Sequence, residues 1–281
     1  MNIQPVIKWT GSKRYLAPQI VSYFPKEIDT YYEPFCGSCA VMMEMLINRV
    51  QINKNIKVKK IICSDVNPTL ISFFNQVKDS KQKRNLISIY EKHYYNFVDL
   101  SPEKKKEYYN KERDKFNRYQ SPENFIFLNK VAQNGLIRYN KSGEFNASCN
   151  TKHKPIYPKS LAIRFDIWWD ILNQYNVQFI KTSFVNINPT ENDFMFLDPP
   201  YSNIVGDMYY HNFEEERFWQ WIKSAKSPWA LTYNAHTKEG ELYELPIEYD
   251  QHIQLEGKSS NFRKLHGRTE LVYENLYLKG I

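Results

Sequence analysis

The amino-acid sequence predicts an α/β fold, with a Rossmann-like doubly wound sheet that is interrupted by a mostly helical insertion. In the first third of the chain, strand-like and helical segments alternate. From about residue 78 the sequence is charged and helical, and strand-like segments resume after residue 176. Alternating strands and helices are typical of parallel sheets covered by helices. We therefore expect one sheet domain over residues 1–77 and 169–281 and an inserted domain over residues 78–168.

The elements of the first third follow from the local pattern of apolar residues. Asn67 is expected to cap a helix that has Pro68 at its first position. The predicted helices cover residues 13–24, 39–50 and 67–78, and the predicted strands cover residues 30–35 and 59–65.

In the rest of the chain, an apolar helix is expected over residues 124–135, followed by a β-hairpin. Residues 136–140 and 145–149 are its strands, and K-S-G-E forms the turn between them. A further helix is expected over residues 160–175, and apolar strands over residues 177–184 and 193–197.

The composition favours a cytoplasmic protein without structural disulfides. The chain has 281 residues, of which 42% are hydrophobic, enough for a sizeable core. No apolar run approaches the roughly 18 to 20 residues that span a bilayer, and no signal peptide is apparent. Four cysteines are too few for a disulfide scaffold.

Positive charge is concentrated in the insertion. The whole chain has 38 Lys and Arg against 31 Asp and Glu, whereas residues 78–118 alone have twelve against seven, with tyrosines interleaved. Such a segment suits either a solvated helical surface or a surface that contacts phosphate groups. In the second case, affinity for nucleic acid falls steeply with salt.

Small or acidic residues follow three of the predicted strands, where ligands bind in open α/β sheets. A loop around Gly37 and Ser38 follows the first strand, and Asp65 ends the second. Such a loop allows a close approach to the backbone, and an acid can accept hydrogen bonds from both hydroxyls of a ribose. The G-x-G-x-x-G string of dinucleotide oxidoreductases is absent, so a dinucleotide oxidoreductase is disfavoured, whereas an adenosine-containing ligand is not.

The third strand ends in Asp198-Pro199-Pro200-Tyr201, the most distinctive string in the chain. Two prolines make the turn rigid and remove two backbone donors. Asp198 and the Pro199 carbonyl can accept hydrogen bonds from the two N–H groups of an exocyclic amine, and Tyr201 can stack on a planar ring. This turn is suited to bind an amino-bearing base.

Five strings in register resemble the Dam-type DNA adenine-N6 methyltransferases over nearly the whole chain. They are K-W-T-G-S-K from Lys8, E-P-F-C-G-S from Glu33, C-S-D-V-N around Asp65, N-G-L-I-R-Y-N-K-S-G-E-F-N from Asn134, and D-P-P-Y from Asp198. The resemblance implies the methyltransferase form of the Rossmann-like sheet, with a DNA-recognition region between the cofactor loop and D-P-P-Y.

The resemblance implies S-adenosylmethionine as the methyl donor. It places Trp9 and Lys13 near the methionine end of the cofactor, Asp65 at the ribose, and Phe184 near the adenine. Phe35, Gly37, Ser38 and Asp198 complete the expected cofactor site.

The resemblance also implies that Asp198, Pro199, Pro200 and Tyr201 hold an adenine rotated out of the duplex, because N6 is inaccessible inside the base stack. Methyl transfer is expected to be direct, with no covalent intermediate, no metal and no nucleophilic cysteine. Double-stranded DNA is the expected partner of a monomeric enzyme, which acts either alone or beside a restriction endonuclease.

In this family the hairpin reads DNA, and Arg138 occupies the position of a base-reading arginine. The further expected DNA contacts are Lys8, Asn134, Leu136, Asn140, Lys258, Ser259, Arg263 and Arg268. The segment around the last four residues is equally compatible with a polar loop. Residues 147–153 depart from relatives that recognise GATC, so the target sequence stays open.

Several alternatives remain at this point. Cys36 and Cys39 form a C-x-x-C string that could be a redox pair or half of a zinc site, but neither a thioredoxin-like context nor a second ligand pair is present. An acid-Pro-Pro-aromatic turn also suits cytosine N4 or RNA as the methyl acceptor. A catalytically inactive nucleic-acid-binding relative is the alternative of another class.

Overall fold

The computed structural model describes residues 4–133, 137–140, 142–201, 213–233, 244–256, 262–265, 268–271 and 274–281. Nine strands lie in these ranges: β1 (Glu27–Glu33), β2 (Lys57–Asp65), β3 (Gln178–Lys181), β4 (Phe194–Leu197), β5 (Trp229–Thr232), β6 (Gln251–Leu255), β7 (Phe262–Leu265), β8 (Arg268–Leu271) and β9 (Glu274–Lys279).

Seven of these strands form one sheet in the order β3-β2-β1-β4-β5-β9-β6. The first five strands along the chain pair in parallel, and β9 is antiparallel to both β5 and β6. The α/β fold with a mainly parallel sheet is thus confirmed. The first strand was predicted at residues 30–35 but ends at Glu33, since Pro34 has no N–H to donate to a ladder.

Eight α-helices lie in the described ranges: α1 (Ala17–Val21), α2 (Ala40–Glu44), α3 (Pro68–Lys78), α4 (Ser80–Phe97), α5 (Pro102–Tyr119), α6 (Pro122–Val131), α7 (Pro158–Gln174) and α8 (Glu215–Ser224). The prediction of a helix over residues 13–24 was too long, because Pro18 prevents a helix from extending further towards the amino terminus. The predicted cap of α3 is confirmed: Asn67 Oδ1 accepts a hydrogen bond from Leu70 N at 3.1 Å.

Helices α4, α5 and α6 lie between α3 and α7 in the chain and add no strand to the seven-stranded sheet. They share the hydrophobic core of the sheet layer. Phe73 of α3 contacts Phe125 of α6 and Phe165 of α7, with ring centroids 5.9 and 6.0 Å apart. The proposed division into domains at residues 78 and 168 therefore passes through a continuous core.

None of the helices in the described ranges is long and apolar enough to cross a membrane.

The strand order reverses between β1 and β4. From β1 the chain proceeds to β2 and β3 on one side, whereas β4 pairs with β1 on the other side through Tyr31 and Phe194. In open α/β sheets a crevice forms at this point, outside the carboxyl ends of the strands. The segments that follow β1 and β4 therefore face the same crevice.

Candidate active site

A cavity of about 320 Å³ opens at the carboxyl ends of β1, β2 and β4. It brings together, from five stretches of the chain, every residue that we assigned to the catalytic motif or to the cofactor. These residues are Trp9, Lys13, Phe35, Gly37, Ser38, Asp65, Phe184, Asp198, Pro199, Pro200 and Tyr201. Residues far apart in sequence thus line one cavity.

The loop after β1 requires glycine at position 37. Gly37 has a φ of +45°, in the left-handed region that residues with a Cβ rarely adopt. A Cβ at this position would lie 2.8 Å from two atoms of the Trp9 indole ring. Ser38 is tied to the same amino-terminal segment by a 2.7 Å hydrogen bond between its Oγ and that of Ser12. The loop and the K-W-T-G-S-K string therefore form one wall of the cavity.

Three cysteines lie buried around the glycine loop. Cys36, Cys39 and Cys63 are buried, and burial raises the pKa of each thiol, that of Cys36 to about 12. A protonated thiol is a poor nucleophile and a poor metal ligand. No group of three or more His, Cys, Asp or Glu side chains within the described ranges is arranged to hold a metal ion. Cys39 has a φ of +53°, a conformation that a glycine would adopt more readily.

Asp65 ends β2 beside the glycine loop. Its Oδ1 accepts a hydrogen bond from Asn67 N at 2.9 Å. Burial raises the pKa of Asp65 to about 6, although backbone N–H groups, including that of Gly37, oppose the shift. A half-buried carboxylate at a cavity wall is a suitable acceptor for hydroxyl groups of a ligand.

Aromatic rings form another part of the cavity wall. Phe184 follows β3, and its ring centroid lies 5.5 Å from that of Phe35. Phe218 and Trp221 of α8 support Phe184 from behind, at 5.7 and 5.4 Å. This wall is apolar and rigid, as a planar ring requires of its binding surface.

Asp198 follows β4 and belongs to a network of buried polar side chains. Its Oδ1 lies 2.6 Å from Lys13 Nζ and 3.2 Å from the hydroxyl oxygen of Tyr201, and it accepts a hydrogen bond from Thr232 Oγ1 at 2.9 Å. All of these contacts are made by Oδ1, and no residue in the described ranges hydrogen-bonds to Oδ2. Burial raises the pKa of Asp198, and Lys13 opposes this shift. One oxygen is thus held by the protein while the other remains available to a ligand.

Sequence reasoning missed Glu274, the first residue of β9. Its Oε1 lies 3.3 Å from Lys13 Nζ and accepts a hydrogen bond from the hydroxyl of Tyr201. Burial disfavours the charge of Lys13, but Asp198 and Glu274 outweigh it and raise the pKa of the ammonium. No local pattern distinguishes Glu274 from the other acids near the carboxyl terminus, so only the fold reveals it.

Glu33, at the end of β1, also lines the cavity. It begins the E-P-F-C-G-S string, but sequence reasoning assigned no function to it. Its Oε2 accepts hydrogen bonds from Tyr31 OH at 2.6 Å and Met42 N at 3.1 Å. Burial raises the pKa of Glu33 to about 8, and the negative charge of Asp198 adds to the shift. Glu33 is therefore largely protonated at neutral pH.

The predicted hairpin is present as a short antiparallel pairing of Tyr139 with Phe145. Ile137 and Tyr139 are buried and line the cavity, whereas Arg138 between them is exposed. Thr10 links the hairpin to the cavity wall, because its Oγ1 exchanges hydrogen bonds with the backbone of Ile137. Arg138 is thus held on the face of the hairpin that points away from the cavity.

The other residues expected to contact DNA fall into three groups. Lys8 is exposed, whereas Asn140 uses its side-chain oxygen within the turn, for the backbone N–H groups of Ser142 and Glu144. Arg263 and Arg268 lie on β7 and β8, which form an antiparallel ribbon in place of the polar loop we allowed for. Asn134, Leu136, Lys258 and Ser259 lie outside the described residues.

The sheet order, the glycine loop, the acid at the end of β2 and the D-P-P-Y turn after β4 together define a Rossmann-like methyltransferase. The chain belongs to the D12 class of N6 adenine-specific DNA methyltransferases, whose family model matches residues 9–265. It is accordingly a DNA adenine methyltransferase, as the resemblance implied.

Relatives of this class support the assignment. The chain is 31% identical to the type II methyltransferase M.MjaIII of Methanocaldococcus jannaschii over 227 residues, which are 72% of this chain and 70% of that protein. It is 26% identical to the type II methyltransferase M.CviBI of Paramecium bursaria Chlorella virus NC1A, over 97% of this chain and 100% of that protein. It is 29% identical to the DNA adenine methylase of Escherichia coli, over 70% of this chain and 64% of that protein.

Proposed function

We propose that the protein transfers a methyl group from S-adenosylmethionine to the N6 amine of an adenine flipped out of double-stranded DNA. The observation that carries this proposal is the arrangement of Asp198. Lys13, Thr232 and Tyr201 hold one carboxylate oxygen, and the other has no partner within the described ranges. A carboxylate arranged in this way can receive an exocyclic amine without losing its own supports.

The cavity residues fit the proposed cofactor. Asp65 offers carboxylate oxygens to the two ribose hydroxyls, and the rings of Phe35 and Phe184 offer an apolar surface to the adenine. The Trp9 indole lies against Gly37 and can face the positively charged sulfur. When bound, S-adenosylmethionine supplies an electrophilic methyl group on that sulfur.

The protein contributes positioning and electrostatics to the reaction. Asp198 Oδ2 and the carbonyl oxygen of Pro199 each accept a hydrogen bond from one N–H of the N6 amine, which draws the nitrogen lone pair out of conjugation with the ring. The rigid Pro199-Pro200 turn fixes the direction of both acceptors. Such positioning can supply several kcal/mol of the barrier reduction, on the order of 7 to 11 for a well-oriented pair of reactants.

Lys13 has an additional role in this proposal. Besides the expected contact with the carboxylate of the cofactor, it compensates the charge of Asp198. Glu274 in turn keeps Lys13 and Tyr201 in place. The ring of Tyr201 lies 5.1 Å from the Lys13 ammonium and is proposed to stack on the flipped base.

The exposed residues of the insertion and hairpin are proposed to bind the duplex. Arg138, on the exposed face of the hairpin, is proposed to read a guanine with its planar fork of donors. One copy of the chain is proposed to act on each site in DNA, and the basic helices α4 and α5 to contact the backbone.

The test is transfer of radiolabelled methyl groups to unmethylated duplex DNA and, separately, to RNA, followed by nucleoside analysis of the product. We expect N6-methyladenine in DNA only, and we expect Asp198→Ala to abolish transfer while cofactor binding persists. Label in RNA would show that RNA is the methyl acceptor, and label in N4-methylcytosine would show that cytosine N4 is. Either result would overturn the proposal. Absence of label with intact DNA binding would identify a non-catalytic relative.

A further inference from the structure

Four basic residues from three parts of the chain, Lys8, Arg14, Lys130 and Arg164, come together beside the cavity. We call them the rim cluster. Lys8 and Arg14 belong to the amino-terminal segment, Lys130 to α6 and Arg164 to α7. The cluster is not a local feature of the sequence, since its first and last residues, Lys8 and Arg164, are far apart in the chain.

Hydrogen bonds fix α6 and α7 on the amino-terminal segment. Asn129 exchanges two hydrogen bonds with the backbone of Lys8, at 2.9 and 2.7 Å. Lys130 Nζ donates to the carbonyl oxygen of Val6 at 2.5 Å. Trp168, one turn after Arg164, donates from its indole nitrogen to the carbonyl oxygen of Gln4 at 3.3 Å. These hydrogen bonds bring the helices that carry Lys130 and Arg164 against the segment that carries Lys8 and Arg14.

The rim cluster lacks a compensating anion within the described ranges. None of its members forms a salt bridge there, and Nε of Arg14 is buried without a hydrogen-bond partner. Burial, followed by the charges of Arg164 and Lys8, lowers the pKa of Lys130 well below its usual value. Burial and the charge of Arg14 lower the pKa of Arg164. Positive charge at these positions is thus disfavoured in the free protein, and a bound anion would stabilise it.

The cofactor is not the anion that this geometry suits. No member of the rim cluster lines the cavity, although Trp9 and Lys13, the neighbours of Lys8 and Arg14, do so. Lys8 and Arg14 lie outside the cavity, on the segment that Thr10 joins to the hairpin. Lys130 and Arg164 belong to the two helices that are hydrogen-bonded to this segment. Lys8 is exposed, and Arg14 and Arg164 are partly exposed, so a large ligand can reach them.

We propose that the rim cluster binds a backbone phosphate of the DNA next to the flipped adenine. This inference rests on the proposed function, because it takes duplex DNA as the polyanion that lies across the cavity. The two guanidinium groups match the geometry of a phosphate, to which each can donate two parallel hydrogen bonds. The phosphate would offset the repulsion and fix the duplex relative to the cavity.

The experiment uses the full chain with Arg14→Gln and Arg164→Gln combined. Binding of unmethylated duplex DNA is measured by fluorescence anisotropy between about 50 and 200 mM salt. We expect the slope of log affinity against log salt to shrink by about 1 to 2. We expect affinity at low salt to fall by about tenfold or more, since each charged hydrogen bond contributes that much. Binding of S-adenosylmethionine, measured by calorimetry, should be unchanged.

The matched control is the double variant Lys26→Gln and Lys54→Gln, which removes the same charge. Both lysines are exposed and precede β1 and β2, at the edge of the sheet away from the cavity. Equal salt slopes for the two double variants would overturn the inference. Thermal melting checks the folding of each variant. If the arginine double variant does not fold, Arg164→Gln alone is used in its place.

The outcome is separable from that of the proposed function. If the wild-type chain fails to methylate DNA, the proposed function fails and the rim cluster inference fails with it. If the wild-type chain methylates DNA and the arginine and lysine variants bind alike, only the rim cluster inference is wrong.

Discussion

The ammonium nitrogen of Lys13 lies 2.6 Å from Oδ1 of Asp198, and both side chains are largely buried. The pair joins the amino-terminal K-W-T-G-S-K string to the D-P-P-Y turn. Breaking a buried pair leaves an uncompensated charge, whereas an exposed pair at the same distance contributes little. The structure also contains an exposed pair at the same distance. Lys59 Nζ lies 2.6 Å from Asp29 Oδ1, and 78% and 44% of these two side chains are exposed.

Lys13→Met is expected to lower the free energy of unfolding by about 3 to 5 kcal/mol at pH 7. Lys59→Met, the matched control, should lower it by no more than about 1 kcal/mol. The raised pKa of Lys13 means that its contribution is complete below pH 10.5 and is lost only as pH rises beyond it. Urea unfolding measures both variants, and equal losses would contradict the role of burial.

In a plot of kcat against pH, activity is expected to fall on the acid side as Asp198 becomes protonated. Glu274→Gln is expected to move this acid limb to lower pH. The negative charge of Glu274 helps raise the pKa of Asp198, so its removal should lower that pKa and keep Asp198 ionised in more acidic solution. Glu248→Gln, at an exposed carboxylate 3.7 Å from Lys279, is the control and should leave the limb unchanged. A loss of activity with an unmoved limb would indicate that Glu274 is structural only.

Glu33→Gln is expected to make stability less dependent on pH. The pKa of Glu33 is about 8 in the folded protein against 4.5 for an ordinary glutamate, so the folded state binds its proton more tightly. The wild-type free energy of unfolding should therefore fall as pH rises from 4.5 through 8, by a few kcal/mol from this residue. Urea unfolding at several pH values tests this, and parallel profiles for the two proteins would refute it.

Gly37→Ala is expected to reduce both stability and cofactor affinity. The substitution adds the cost of a left-handed conformation, about 1 to 2 kcal/mol, and a collision with the Trp9 ring. Gly143→Ala is the control: Gly143 has a φ of +75° but no atom within 4 Å of the added Cβ. Only Gly37→Ala should weaken binding of S-adenosylmethionine in calorimetry. Similar effects of the two substitutions would show that the contact with Trp9 is unimportant.

Arg138→Ala is expected to relax the choice of target sequence, with a loss of about 1 to 3 kcal/mol of discrimination and unchanged melting temperature. The physical reason is that Arg138 is exposed on a hairpin whose neighbouring side chains are buried. Sequencing of methylated positions in DNA from expressing cells measures the choice. Arg118→Ala, at an exposed arginine near the end of α5, should leave it unchanged. An unaltered target pattern for Arg138→Ala would exclude base reading by this residue.

Local patterns predicted the elements that position the cavity but not all of their limits. The cap at Asn67 and the acids that end β2 and β4 were correct, because capping and strand ends depend on neighbouring residues. One helix was predicted over residues 39–50. In the structure only α2, Ala40–Glu44, is α-helical there, and it is followed by a wider π-helical segment, Met45–Ile52. The ribbon of β7 and β8 was missed, since its segment carries polar residues without a clear alternation.

The sequence by itself determined the class of the protein, because the glycine loop, Asp65 and Asp198-Pro199-Pro200-Tyr201 belong to five strings that resemble, in register, those of the Dam-type DNA adenine-N6 methyltransferases. Only the tertiary structure decided how these groups are charged and held. Glu274 reaches Lys13 and Tyr201 through the placement of β9 next to β5. The physical reason is that burial and charge pairing depend on residues distant in the chain, which no local spacing encodes.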